Sequence, residues 1–120
     1  MRKLFVFGNE YLPHDSMAHS VAHHLREHAD TVFCRSPDQL LEEGEEEILV
    51  LDIVRGAVEP VIIDDIRQVR TRPITTTHDM DLGYFLSLMA NMGQEKKVRI
   101  IGIPEQGNAA AIATKVRAWL

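Results

Sequence analysis

Two acids and a histidine in this sequence stand where polar side chains often form a metal site in α/β proteins. Asp15, Asp52 and His78 are each expected at the end of a predicted strand or in the loop that follows it. Because the carboxyl ends of strands in an open α/β sheet border one crevice, the three side chains are expected to converge. Two carboxylates and an imidazole are a common ligand set for a borderline divalent metal ion, with positions left for a substrate.

The same residues also have plainer structural interpretations. Asp15 directly precedes a helical pattern that begins near Ser16, so it is suited to cap that helix. Thr77 or His78 is equally suited to cap the helix that follows them. Asp52 is suited to anchor a turn. Residue types and spacing leave both the metal site and these structural roles open.

The apolar patterns predict the elements that position these residues. Compact apolar or β-branched runs predict strands over 3–7, 31–34, 48–51, 60–63, 73–77 and 98–103. The third strand is expected to stop at Asp52, with a turn-prone connection over 53–56, and the fourth is expected at a sheet edge because Pro60 cannot donate to a ladder. Helical spacing predicts helices over 16–29, from Ser36 past Leu41, after His78 as far as Gly93, and from Ile112 to the last residues.

The alternation of strands and helices with short connections predicts the fold class. It is typical of an α/β domain, a three-layer α-β-α sandwich around a mostly parallel, twisted sheet of about five strands. The near-continuous apolar run 48–51 favours a strand covered on both faces. With 120 residues, 1–120 is expected to form a single domain.

Composition excludes several function classes. A net charge of −5 and the lack of a Lys/Arg cluster argue against a nucleic-acid partner. No apolar run is long enough to insert into a membrane. The single cysteine, Cys34, cannot form an internal disulfide, and with no signal-peptide pattern this predicts a cytoplasmic protein. Cys34 itself is expected to be a small buried hydrophobe rather than a nucleophile.

Other polar residues carry weaker signals. His19 and His23, like His24 and His28, are four residues apart, a spacing that can bind zinc. The apolar stripe through residues 18, 21, 22, 25 and 29 leaves these histidines on the flanks or the solvent side, so a solvated helix face is expected. The Gly8–Asn9 loop lacks the further glycines or lysine of a nucleotide loop.

Four stretches in order resemble the hydrogenase maturation endopeptidases, which process the large subunit of nickel–iron hydrogenases. They are Phe7-Gly8-Asn9 with Asp15 six residues after the Asn, the apolar strand before Asp52, the run 76–83, Thr-Thr-His-Asp-Met-Asp-Leu-Gly, and the run 100–105, Ile-Ile-Gly-Ile-Pro-Glu. The resemblance covers nearly the whole chain. Its short form and the run 52–66 look most like archaeal members.

The resemblance implies a peptidase that recognises nickel already inserted in its substrate and removes a C-terminal peptide from the hydrogenase large-subunit precursor. It implies that Asp15, Asp52 and His78 are both the catalytic residues and the metal ligands, and no serine or cysteine nucleophile is implied. Nickel would be carried by the substrate, and cadmium or zinc could substitute for it in a crystal. A monomer or weak dimer is expected. The candidates for the substrate groove are Pro13, His14, Arg55, Asp79 and Glu105, although Glu105 is also suited simply to begin a solvated loop.

The sequence departs from the family pattern in three places. His14 stands where the family usually has a second acid, and Ala18 where it usually has glycine. The run 34–37, Cys-Arg-Ser-Pro, replaces a Gly-Gly-Thr turn. The missing Gly-Gly-Thr turn keeps open the alternative of a non-proteolytic, nickel-sensing chaperone of the precursor. A second alternative is a small domain that binds a nucleotide or another anion at Gly8–Asn9.

Overall fold

The computed structural model describes residues 2–7, 16–34, 47–63, 75–76 and 97–120, and only the backbone of residues 55, 63, 75, 76, 97 and 98. Six strands occur within these ranges: β1 (Lys3–Phe7), β2 (Asp30–Cys34), β3 (Glu47–Arg55), β4 (Val61–Ile63), β5 (Thr75–Thr76) and β6 (Lys97–Ile103). Two α-helices occur there, α1 (Ser16–Leu25) and α2 (Ala109–Val116), and a 3-10 turn (Arg117–Trp119) follows α2. None of the described helices is long and apolar enough to cross a bilayer.

The strands form one mostly parallel sheet, as the sequence predicts. Its order is β2-β1-β3-β6-β4, and β5 pairs with β3 outside this path. The pairs β1–β2, β1–β3 and β3–β6 are parallel, whereas β4 runs antiparallel to β6 at the edge. Among the described strands β4 lies at the edge, as expected from Pro60. Within the described ranges, β3 therefore occupies the centre of the sheet, with β1 on one side and β6 on the other.

The predicted end of β3 is wrong. The strand does not stop at Asp52 but continues through Ile53 and Val54 to Arg55. Ile53 and Val54 are buried, and β5 supplies an antiparallel partner for the last two residues, so the chain remains extended. The turn begins only at Gly56, whose φ of 81° suits a residue without a side chain.

One face of the sheet packs against both described helices. Alternate residues of the strands point to this face because side chains along a strand alternate between faces. Together with one stripe of each helix they form a single buried core, which comprises Leu4, Val6, Leu49, Leu51, Ile53, Ile101, Ile103, Ala18, Val21, Ala22, Leu25, Ala29, Ile112, Ala113 and Val116. The stripe predicted for the first helix is thus confirmed in full.

The first helix is shorter than predicted. It ends at Leu25, and residues 26–29 form a turn in which the amides of His28 and Ala29 both donate to the Leu25 carbonyl, at 2.8 and 2.9 Å. The chain has to turn here because the amide of Asp30 donates to the Arg2 carbonyl at 2.8 Å and starts β2 beside β1. The helical periodicity continues to Ala29 because that residue is also buried in the core.

The opposite face of the sheet is buried as well. Its buried residues include Phe5, Phe7, Cys34, Ile48, Val50, Val54, Ile100 and the acid Asp52. Burial on both faces explains why β3 reads as a continuous apolar run rather than as an alternating one. The predicted helices from Ser36 and after His78 lie outside the described residues.

Ion pairs join the amino-terminal edge of the sheet. Glu47, at the start of β3, pairs with Arg2 at 3.2 Å and with Arg99 of β6 at 3.4 Å. Arg2 also donates to the carbonyl of Trp119 at 3.4 Å. These contacts tie the beginnings of β1, β3 and β6 to the last turn of the chain, at the edge opposite to the candidate site.

Candidate metal centre at the carboxyl edge of the sheet

Asp52 is a charged residue in the interior of the protein. Its side chain is fully buried, and among the described residues it is the only polar or charged residue in the buried class. Its Oδ1 accepts a hydrogen bond from the amide of Ile53 at 2.8 Å. Burying a carboxylate costs several kcal/mol unless hydrogen bonds, an opposite charge or a metal ion offset the loss of water. The turn interpretation does not apply, because Asp52 lies within β3 rather than in a turn.

Asp52 lies at the carboxyl edge of the parallel part of the sheet. It pairs with Gly102 of β6, which has one more paired residue, Ile103, before it ends. On the other side, the last pair between β1 and β3 is Val6 with Leu51. After Ile53, β3 pairs with neither β1 nor β6. Ligand sites in open α/β sheets occur at this kind of position, beyond the carboxyl ends of the parallel strands. Strand alternation turns the carboxylate away from α1 and α2, toward the second face of the sheet.

The strand β5 brings a second part of the chain to the same edge. Thr76 pairs with Val54, and Thr75 pairs with Arg55. His78 follows Thr76 by two residues, and two residues span at most about 7 Å. The described part of the chain thus delivers the segment before His78 to the end of β3, although His78 and Asp79 themselves lie outside the described residues.

The third predicted ligand is tied to the start of α1. Asp15 directly precedes Ser16, the first residue of that helix, and adjacent Cα atoms are about 3.8 Å apart. Because α1 connects the carboxyl end of β1 to the parallel strand β2, it starts at the carboxyl edge of the sheet. Asp15, and with it Pro13 and His14, lies outside the described residues, so these assignments stay predictions.

Glu105 also lies at this edge. It is partly exposed and follows the end of β6 by two residues, after the buried Pro104. The loop then leads into α2, which is capped by the side chain of Asn108 accepting from the amide of Ala111 at 3.0 Å. A place beside the proposed groove fits this position, and its contact with a substrate stays a prediction. For Arg55 the structure describes only the backbone, at the end of β3.

The other ligand-type residues do not form a competing site within the described ranges. His23, His24 and His28 are exposed, which confirms the solvated helix face. His19 is partly buried and stacks on Phe33, with ring centroids 4.7 Å apart and planes within 5°. Cys34 is buried, as expected for a small hydrophobe. In the described part of the chain, no three His, Cys, Asp or Glu side chains come close enough to share a metal ion.

Sequence reasoning included Gly102 only as part of the run 100–105 and gave it no role in this region. It pairs with Asp52 across the sheet and stands between Ile101 and Ile103 in a strand that is otherwise rich in isoleucine. A glycine inside such a strand weakens it and often marks a close approach by another group. That signal was present in the sequence, but the pairing partner that gives it meaning can be known only from the register.

The fold is similar to that of several solved structures. A crystal structure of a hydrogenase 3 maturation protease matches with a TM-score of 0.66 and 18% identity, over 98% of this chain and 88% of that one. The solution structure of the endopeptidase HycI from Escherichia coli matches with a TM-score of 0.64 and 16% identity, over 98% and 88%. An uncharacterised protein from Wolinella succinogenes matches with a TM-score of 0.58 and 17% identity, over 98% and 92%.

The chain has the fold of the hydrogenase maturation proteases. The α/β class and the mostly parallel sheet are confirmed. The resemblance read from the sequence thus leads to the same proteins as the structure does. Comparison by sequence gives less, because no family profile matches the chain. No curated protein matches it either.

Proposed function

We propose that this protein is an endopeptidase that removes the C-terminal extension of a nickel–iron hydrogenase large-subunit precursor after nickel insertion. The observation that carries the proposal is Asp52, a fully buried carboxylate at the carboxyl edge of the sheet. The sequence resemblance assigns a metal ligand to this same residue. The shared fold with two proteins described as a maturation protease and an endopeptidase supports the assignment.

In this proposal the nickel ion belongs to the substrate, and the protein recognises the ion by binding it. Asp15, Asp52 and His78 bind the ion as the precursor docks, and carboxylate and imidazole ligands suit such a divalent ion. The position of Asp52 supports this use, because it lies at the carboxyl edge of the parallel strands, where ligand sites occur in open α/β sheets. Cadmium and zinc are expected to occupy the same ligands in place of nickel.

The chemistry of the cut follows from the position of the bound ion. A metal ion beside the scissile carbonyl can polarise it, and it can also lower the pKa of a bound water that then attacks. Either route places the peptide across the carboxyl edge of the sheet. We propose that Pro13, His14, Arg55, Asp79 and Glu105 line the groove that holds it there.

The setting of the reaction is part of the proposal. The partner is the precursor itself, and neither a nucleic acid nor a membrane is required. Processing is proposed to occur in the cytoplasm, in line with a chain of 120 residues that carries a single cysteine. A monomer or weak dimer is sufficient, because all three proposed ligands come from one chain.

The test is cleavage of purified precursor, loaded with nickel or left without it. We expect the wild-type protein to release the C-terminal peptide only from the nickel-loaded precursor. Asp52→Asn keeps the shape and the Oδ1 acceptor but removes the negative charge, and it should abolish release. Asp30→Asn is the matched control, because Asp30 is exposed at the start of β2, and it should cleave at the wild-type rate.

Three outcomes would contradict the proposal. Normal cleavage by Asp52→Asn would remove Asp52 from the ligand set. Cleavage of nickel-free precursor at the same rate would show that the protein does not recognise the nickel ion. Tight, stoichiometric binding of the precursor without turnover would instead support the alternative of a nickel-sensing chaperone.

A further inference from the structure

We infer that Gly102 is a positioning residue for the proposed nickel site, an inference that rests on the proposed function. Gly102 lies in β6 and pairs with Asp52 on one side and with Val61 of β4 on the other. Paired residues of neighbouring strands point to the same face of a sheet. A side chain at position 102 would therefore enter the layer that contains the Asp52 carboxylate.

The space beside Gly102 is already filled by a neighbouring side chain. A Cβ atom at position 102 would come closer than 3.0 Å to Cγ2 of Val54, a separation that real Cβ atoms essentially never show. It would also lie 3.3 Å from Cβ of Val54 and 3.2 Å from Cγ2 of Val61. Val54 is buried and β-branched, so it has few rotamers into which it could withdraw. The side chain of Val54 thus packs directly onto the backbone of Gly102.

Val54 occupies the junction between the two kinds of pairing that β3 makes. The parallel pairing with β6 ends at Ile53, opposite Ile103. The antiparallel pairing with β5 begins at the next residue, where Val54 faces Thr76. The Val54 side chain packs on β6, and the Val54 backbone pairs with β5. The lack of a side chain at Gly102 therefore sets how closely Val54, and β5 with it, approaches β6.

The junction connects two of the proposed ligands. Asp52 precedes Val54 by two residues on the same face of β3, and His78 follows Thr76 by two residues along the chain. A side chain at position 102 would push Val54, and β5 with it, away from β6. Misplacing a reacting group by about 1 Å can reduce a rate by about 100-fold. Gly102 touches no substrate in this scheme and acts only through Val54.

The experiment exploits the direct contact between the two residues. Gly102→Ala should lower kcat for the nickel-loaded precursor by about 100-fold, because the ligands that hold the ion beside the scissile bond move apart. Adding Val54→Ala removes the methyl group that the new Cβ would meet. The double variant should recover about tenfold or more of the lost kcat, since contacting residues couple when both are changed.

A matched control separates positioning from loss of stability. Ile101→Val truncates the neighbouring residue of β6, whose side chain points to the opposite face, toward α1 and α2. It should lower the melting temperature and leave kcat at the wild-type value. Wild-type kcat in a folded Gly102→Ala variant would overturn the inference. So would a double variant no more active than Gly102→Ala.

A second measurement keeps the inference testable if the proposed function fails. Amide hydrogen exchange at residues 54–55 and 75–76 reports the β3–β5 pairing without any substrate. Gly102→Ala should speed exchange there by about tenfold or more, while residues 4–6 of β1 stay protected. If the wild-type protein cleaves nothing, the proposed function falls, and unchanged exchange in the variant would separately overturn the role of Gly102. If Gly102→Ala does not fold, Val54→Ala alone should speed this exchange, and wild-type exchange in that variant would overturn the inference.

Discussion

Leu51 and Asp52 are neighbours in β3, and we expect substitution of Leu51 to lower stability and substitution of Asp52 to abolish activity. Leu51 is fully buried in the core that faces α1 and α2, whereas Asp52 points to the other face. Leu51→Ala should destabilise the protein strongly and leave the chemistry intact. Asp52→Asn should stop the chemistry in a protein that still folds.

The magnitude for Leu51→Ala follows from its surroundings. Replacing a buried leucine by alanine costs about 2–5 kcal/mol, and the cost rises with the size of the cavity that remains. Leu51 pairs with Val6 on one side and Ile101 on the other, and two rigid strands cannot collapse into the space. We therefore expect Leu51→Ala to lower the free energy of unfolding by about 3–4 kcal/mol. For a chain of 120 residues this lowers the melting temperature by about 12–16 °C, at about 4 °C per kcal/mol.

Two measurements on the same preparations check this prediction. Urea denaturation of wild type and Leu51→Ala at 25 °C should show a lower midpoint with the same slope, since the surface exposed on unfolding is unchanged. Precursor cleavage at that temperature should proceed at the wild-type rate, because a typical domain stability of about 5–15 kcal/mol leaves most molecules folded. A stability loss below about 0.5 kcal/mol, the range of most surface substitutions, would contradict the burial of Leu51. Loss of cleavage in the folded variant would contradict the separation of the two faces.

Two further predictions concern the ends of the elements. Asn108→Ala should cost about 1 kcal/mol because the amide of Ala111 loses its cap, whereas Asn108→Asp should retain stability; chemical denaturation of the two variants measures the difference. Glu47→Gln should cost less than about 1 kcal/mol, because its pairs with Arg2 and Arg99 are partly exposed and screened by water. That cost should shrink further in 1 M salt, and a salt-independent loss would argue against an ionic origin.

The sequence was sufficient for features that depend on local pattern. The apolar run 3–7 predicts β1, the helical stripe from Ala18 to Leu25 predicts α1, and Pro60 predicts an edge strand. Each depends on a periodicity or on a missing donor, and both are visible without knowing what lies opposite. The same reasoning expected Asp52 near the carboxyl edge of the sheet, and Asp52 pairs with Gly102 one residue before the pairing of β3 with β6 ends.

Features that depend on pairing between distant residues could not be predicted. An acid after four apolar residues reads as the end of a strand, yet β3 continues because Val54 meets Thr76, more than 20 residues away in the sequence. Gly102 has the same limitation, since its neighbour Val54 is almost 50 residues earlier in the chain. Local pattern records burial, but it does not record which strand lies alongside.

The strand order also fixes when the site can exist during synthesis. β3 carries Asp52 but pairs on one side with β6, whose first residue, Lys97, is synthesised 45 residues after Asp52. Until then, one edge of β3 has no parallel partner, and the backbone of Gly102, on which Val54 packs, is absent. At about 5–20 residues per second, the nascent chain therefore carries Asp52 for several seconds before the sheet can close around it. The proposed site therefore cannot form before β6 has been synthesised.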